Sequence, residues 1–493
     1  MKHDSVIGVS DADIRPLESE IEANVKKMKG EKNMISQKSK EKKSIYERWF
    51  GIKTAIRAGY PYSTAYGNAI LSPEVIEAMN EAAMECVNMH ELLRESGKVI
   101  AEICGAEAAF ITSGDCAALT LATAAMMTGT EMAYMEQLPN TEYPYKLKNE
   151  VIIQRGHQTN YVCCLTNSGA KLVTVGGDYP PIPLGSKPKM IRGILYPAQQ
   201  DRPDHVTYYG VQPWFPTVFD KEENRYTIKG FKIVPEDIEA AITARTAGIV
   251  ALVDCSQSMP SPYTLSVEEI VKIGRKHNIP VLVDAPHIPE EGGEPGRRFL
   301  RKYIEMGADL VTCSGGKSIE APSDTGFVYG KKELVDAVAL NSIPHFRRVI
   351  GEGLKVSKEQ IVGLVAAIKR YINLDHKAVL ARNAKMAHWI AEQFKGLPHV
   401  TTEVYERKGF PHESVFEGGI SVVFTIDERA LGITIQKLAD ILWEGDPIIN
   451  FVTTLEPWHK FQIYTHGLRD GDEKIVVERL KQALTLRKTH TPG

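Results

Sequence analysis

A chain of 493 residues with 43% hydrophobic content holds enough apolar material for a large core and a second, smaller one. Its formal net charge of −3 gives no general attraction to polyanions, so nucleic acid is not an expected partner. Seven cysteines, Cys163 and Cys164 adjacent, lie without CxxC or His pairing, which reads as buried thiols in a reducing compartment and no metal site. No apolar run reaches spanning length, so no membrane is expected, and MKHDSVIGVSDADIRP lacks the apolar stretch of a signal peptide; a cytoplasmic location is expected.

Residues 1–66 read as a polar extension, since the lysines of Lys26 to Lys43 are interrupted by glutamates as on a solvated arm. From 67 to 343 apolar β-branched runs alternate with amphipathic segments. Strands are expected near 108–112, 151–154, 171–175, 191–196, 248–254, 280–284, 308–312 and 326–330, and helices at Cys116 to Met127, Val267 to His277 and Phe299 to Gly307. This is the rhythm of an α/β domain whose strand ends converge on one crevice. Residues 197–232 break it with Tyr208, Tyr209, Trp214, Phe215, Phe219 and Tyr226 among prolines and charges, an insertion that serves as a site cover or a subunit contact. A smaller α+β domain is expected over 344–493, with strands at Ile420 to Ile426 and Gln462 to Thr465 and a closing helix from Asp472 to Leu486.

Two strand ends carry the chemistry. VLVDAPH (281–287) delivers the Asp284 carboxylate and GADLVTCSGGKS (307–318) delivers the Lys317 amine. Pyridoxal phosphate needs such a pair, an anion for its pyridine nitrogen and a lysine for its aldehyde. Taken singly, an aspartate at a strand end and a lysine after two glycines are ordinary features of a sheet edge. A third segment strengthens the pairing: in AAFITSGDCAALTLATAAMM (108–127) a strand turns at Ser113-Gly114 into a helix of small residues. Its first turn offers backbone N–H groups, a hydroxyl and a positive dipole end to a phosphate, although Ser113 equally serves as a plain helix cap. Asp115 stands against a phosphate there, turned aside or toward a substrate ammonium.

The order TSG, RGH, VDA and GADLVTCSGGK resembles the selenium-transferase-like branch of the fold-type-I pyridoxal phosphate-dependent enzymes, which includes selenium transferases and D-glucosaminate-6-phosphate ammonia-lyase. The likeness runs from about Leu71 to Tyr371, through LSPEVIEAM, EICGAEAA, GFVYGKKELVDA and LKVSKEQIVGLVAAIKRY. It implies a mostly parallel seven-stranded sheet flanked by helices, a smaller α+β C-terminal domain, pyridoxal 5'-phosphate as cofactor, and a homodimer or larger even assembly. Residue by residue it makes Lys317 the Schiff-base lysine and Asp284 the partner of the pyridine nitrogen. His157 of QRGHQTNY is then set against the cofactor ring, where an imidazole both stacks and moves protons. Ser113, Gly114 and Ser314 fall at phosphate-binding positions, and His287 near the cofactor's phenolic oxygen or in an ordinary structural role.

The implied activity is a lyase acting on an amino acid or amino-sugar acid by α-proton abstraction and β-elimination, with Lys317 as base and His157 or His287 protonating the leaving group. Alternatives are a racemase or epimerase using the same cofactor, and a selenium-transferase-type replacement on aminoacyl-tRNA. A substrate carboxylate calls for a guanidinium. Arg347 or Arg348 and Arg469 are the candidates, each also readable as a surface ion pair, and Lys355 and Lys358 can face a phosphate from a neighbouring subunit.

Overall fold

Short apolar runs build the seven-stranded central sheet, whose strands are largely buried except for the edge strand Lys171–Val175, where only Val175 is buried. The computed structural model describes residues 43–59, 64, 67–157, 161–176, 233–253, 264–286, 293–405, 420–455 and 460–485, with four short strands besides at 189–191, 194–196, 217–220 and 225–228. In spatial order the sheet runs Ala108–Thr112, Gly326–Gly330, Leu310–Ser314, Val281–Asp284, Thr246–Leu252, Glu150–Gln154 and Lys171–Val175. Gly326–Gly330 is antiparallel to both neighbours, and the other pairings are parallel. The expected α/β class and mostly parallel sheet are therefore present. The strand expected at 191–196 is instead two, Lys189–Ile191 and Ile194–Tyr196, paired antiparallel with each other outside the large sheet.

The helix Asp115–Thr128 is buried along its whole length from Ala117 to Thr128. It packs across the sheet and under the helix Lys332–Leu340, which is why its residues are small and apolar all round. Val267–His277 starts and ends where its sequence signals lie: Ser266 and Glu269 form a reciprocal capping box, and Asn278 closes it at φ 52. The helix expected from Phe299 begins earlier, at Gly293, because Pro295 sits in the first turn, where its missing N–H costs nothing.

A four-stranded antiparallel sheet, ordered Val400–Tyr405, Ser421–Ile426, Lys460–Tyr464 and Val452–Leu455, carries the second core. The helix Lys358–Asn373 gives Ile361, Leu364, Ala367, Ile368 and Tyr371 to the first core, whereas the second begins at Met386. Packing thus divides this region near Leu374 rather than at Pro344. Ile56 and Ala58 also belong to the second core: Ala55–Arg57 pairs in parallel with Ile448–Asn450, and Tyr464 N–H donates to Ala58 O at 2.9 Å. The polar extension expected over 1–66 consequently ends before Ala55. The segment preceding it contributes one described helix, Ile45–Phe50, capped by Ser44 and closed by Gly51 at φ 64.

Of the aromatic insertion at 197–232, only Thr217–Asp220 and Arg225–Ile228 are described, as an antiparallel pair. Among the described residues no helix is long and apolar enough to cross a membrane.

Candidate active site

Register brings the sequence motifs to one edge of the sheet. Thr112 pairs with Gly326 and Gly326 with Ser314, while Asp284 pairs with Thr312. At about 4.8 Å per strand step, the Ser113-Gly114 turn, Ser314 and Asp284 issue from neighbouring strand ends. Gly326 makes the close approach possible. A Cβ on it would lie 2.4 Å from Gly114 C and 2.5 Å from Asp115 N, so the turn rests on a bare Cα. Gly114 itself adopts φ +89 and gives the helix Asp115–Thr128 no side-chain cap, leaving its first-turn N–H groups to other acceptors.

Asp284 is 1% exposed, and the Thr312 hydroxyl donates to its Oδ1 at 2.8 Å. Burial and the adjacent Asp115 carboxylate push Asp284 well above the ordinary carboxylate range, with Thr312 and Lys317 pulling the other way. Asp115 is also raised, by burial first, against the pull of Lys317. The neighbouring Asp115 thus strengthens the hold of Asp284 on a proton, and the Lys317 charge opposes the rise in both. Asp115 Oδ1 is shut off from solvent and has no hydrogen-bond partner.

Lys317 stands on a turn that only glycine can make. A Cβ on Gly315 would lie 2.2 Å from Thr325 Oγ1, and one on Gly316 would lie 2.6 Å from Ser323 O. Lys317 Nζ projects from this turn to 5.9 Å from the Tyr161 ring centre. Gly316→Ala is expected to cost about 1–3 kcal/mol, the usual range for overpacking, and to displace Lys317. Chemical denaturation checks the first effect, and the rate of cofactor attachment checks the second.

His157 closes the 3₁₀ turn Arg155–His157 after the strand Glu150–Gln154. It is 3% exposed, burial lowers its pKa to about 4, and its Nδ1 has no partner. The imidazole is therefore neutral at pH 7. A depressed folded value means that its contribution to stability is complete above the ordinary 6.5 and is lost as pH falls through about 4. Over that window the cofactor-free protein is expected to lose about 3 kcal/mol through this residue. His157→Phe should remove this part of the acid sensitivity in pH-dependent denaturation.

Other expectations fare differently. The Ser113 hydroxyl donates to Leu354 O at 3.0 Å, and Gly114 N–H donates to Thr112 O at 2.9 Å. Both donors face backbone carbonyls, so the donors left for an anion are the first-turn amides after Gly114. Ser314 is buried at the strand end. Arg348, its side chain 84% exposed, lies 3.6 Å from Glu136, and the exposed Arg469 pairs with the largely buried Asp472 carboxylate at 3.5 Å. Lys358 Nζ donates to Ala82 O at 2.7 Å, and Lys355 is exposed. His287 lies outside the described residues.

The arginine that the sequence reading missed is Arg57. Its Nη1 donates to Asn68 O, and Asn68 Nδ2 donates to Ser323 Oγ at 2.7 Å, beside the backbone that abuts Gly316. No motif marks it, because its link through Asn68 and Ser323 to the Lys317 turn arises from the return of the amino-terminal strand to the second core.

With this geometry in place, comparison with known proteins gives four results. The family model for L-seryl-tRNA selenium transferase matches residues 230–408. The 5'-C-glycyluridine monooxygenase-decarboxylase of a Streptomyces species is 27% identical over 423 residues, 86% of this chain and 88% of that protein. The D-glucosaminate-6-phosphate ammonia lyase of Salmonella typhimurium is 26% identical over 443 residues, 89% of this chain and 97% of that one. A solved D-glucosaminate-6-phosphate ammonia-lyase structure shares the fold, with a TM-score of 0.68 at 21% identity over 90% of this chain and 98% of that one. The resemblance read from the motifs is borne out: the chain is similar to the selenium-transferase-like branch of the fold-type-I enzymes and is an enzyme dependent on pyridoxal 5'-phosphate.

Proposed function

We propose that the protein is a small-molecule lyase that takes the α-proton from an amino acid and expels a substituent from the β-carbon. The convergence of a buried carboxylate, a turn-held lysine and an uncapped helix start at one sheet edge carries this reading. These residues fit pyridoxal phosphate: Asp284 for the pyridine N–H, Lys317 for the carbonyl carbon, the amides after Gly114 for the dianion, and the buried imidazole of His157 for the ring. When bound, the cofactor supplies an electron sink for the bonds at the substrate α-carbon.

The protein's own groups do the rest. Thr312 orients Asp284, whose carboxylate would hold the pyridine N–H of the bound cofactor. The Lys317 amine removes the α-proton as general base. His157, neutral and dry, keeps water from the ring face and accepts a proton at Nδ1. A guanidinium fork suits the substrate carboxylate, and Arg57, tied through Asn68 to Ser323 beside the Lys317 turn, is the candidate for it. The departing substituent takes its proton from Lys317 or His157.

Both near-full-length relatives are named for amino acids built on a sugar framework, so the substrate class proposed is an amino acid with a hydroxylated, sugar-derived side chain. The monooxygenase-decarboxylase relative favours a second reading, loss of the carboxyl group with consumption of oxygen. A screen of such amino acids, D-glucosaminate with and without its phosphate among them, separates the two. Equal yields of ammonia and keto acid without oxygen uptake are expected. Carbon dioxide release with oxygen uptake would select the second reading, and inverted amino acid alone would turn the assignment to a racemase.

A further inference from the structure

Three cysteines meet beside Lys317. Cys116 is the second residue of the helix Asp115–Thr128, and Cys163 and Cys164 lie in the first turn of the helix Val162–Thr166. One hydroxyl joins the helices at this point: Thr120 Oγ1 donates to Cys116 O at 3.0 Å and to Cys164 O at 2.8 Å. The Cys116 and Cys164 sulfurs are within hydrogen-bonding reach of each other, and Cys163 is next to Cys164. Cys116 is exposed and Cys164 buried.

The two thiols differ in character. A hydrogen bond from Cys164 holds Cys116 below the ordinary thiol range, with the Lys317 charge adding and burial and Asp115 opposing. Cys164 is pushed far up and keeps its proton. An accessible sulfur inclined to thiolate, backed by a protonated one, is the arrangement of an attacking and a resolving thiol. Cys163 is the weaker partner: its hydrogen bond is the smallest of the influences on the Cys164 thiol, and that of Cys116 is the largest.

We infer that Cys116 and Cys164 form a reversible disulfide that couples thiol oxidation to the release of the cofactor from the first turn of the helix Asp115–Thr128. The oxidant is a small disulfide. The Cys116 thiolate attacks one of its sulfurs, and the first small thiol leaves. The Cys164 sulfur then attacks the Cys116 sulfur, and the second small thiol leaves with the Cys164 proton. Two protein thiols are oxidised, and one small disulfide is reduced to two thiols. The new bond draws the sulfurs to about 2.05 Å, tightening the Cys116 turn onto the helix headed by Tyr161. The thiol chemistry stands by itself, whereas the coupling rests on the proposed function.

The test equilibrates the holo-protein in glutathione buffers of increasing disulfide content, blocks remaining thiols and maps peptides without reduction. A link between the Cys116 peptide and the Cys163–Cys164 peptide is expected. It should persist in Cys163→Ser and vanish in both Cys116→Ser and Cys164→Ser. A glutathione adduct that stays on Cys116, a bond between Cys163 and Cys164, or no oxidation in any buffer would overturn the pair.

Equilibrium dialysis should show cofactor affinity about tenfold weaker in the oxidised protein, a common size for two-site coupling. The loss should reverse with reductant and be absent from Cys164→Ser. By reciprocity, bound cofactor should make the disulfide harder to form by the same factor. Equal affinity in both redox states overturns the coupling. Failure of the reduced protein to bind cofactor at all overturns the proposed function and the coupling together, and leaves the peptide map as the measure of the thiol pair.

Discussion

Lys317→Ala is expected to lose the covalent attachment of its cofactor and at least about 10⁴-fold in turnover, the upper end for a positioned acid–base group. The protein should fold normally. Lys317 is half-buried, its backbone closes the turn through Glu320 N–H at 2.8 Å from Lys317 O, and neither feature needs the amine. Removing Nζ also removes the positive charge that draws Asp115 and Asp284 downward, so both carboxyls should hold their protons more firmly. Borohydride reduction of the wild-type holo-protein followed by peptide mapping should place the fixed cofactor on Lys317. Its appearance on another lysine, Lys355 or Lys358 for instance, would remove Lys317 from the centre of the site. Added small amines should restore part of the lost turnover if the missing group is the base.

Much of this site was legible because its parts are local in sequence. The segments 280–284, 308–312 and 326–330 read as strands from their apolar runs, and the observed register sets Asp284 beside Thr312. Val267–His277 was legible to the residue because Ser266 and Asn278 are explicit start and stop signals. Arg57 was not, because its position depends on the pairing of Ala55–Arg57 with Ile448–Asn450, nearly the full length of the chain away. Packing near Leu374 was hidden for a related reason: the apolar stripe of Lys358–Asn373 states that the helix is buried, not which core receives it. Asp115 was visible as an anomaly at a helix start. Its contact with Asp284 is a matter of tertiary geometry, and so is the meeting of Cys116 with Cys164.

Asp284→Asn is expected to lower turnover by at least about 10²–10³-fold, the scale of losing one preorganised electrostatic partner at a reacting centre, while folding is preserved. The amide fills the same volume, and its oxygen still accepts from the Thr312 hydroxyl, so that donor is not orphaned. What disappears is the negative charge that keeps a proton on the facing nitrogen. Stability should respond with the opposite sign. The folded carboxyl titrates well above its ordinary 3.8, so its contribution is complete below that value and is lost as pH rises through the folded one. Cofactor-free wild type should therefore weaken as pH climbs above about 4 for this residue's part, and Asp284→Asn should not. Asp115, relieved of a neighbouring carboxylate, should then titrate lower, since repulsion between the two is one cause of the raised pair. Asp115→Asn provides the contrast: it relieves the same repulsion but leaves Asp284 in place, so stability at neutral pH should rise while ring protonation survives. The cofactor absorbance of the two variants, followed against pH, checks the distinction. An Asp284→Asn protein turning over at a near wild-type rate would mean that the ring nitrogen is held by a different group, and Asp115 is the one within reach.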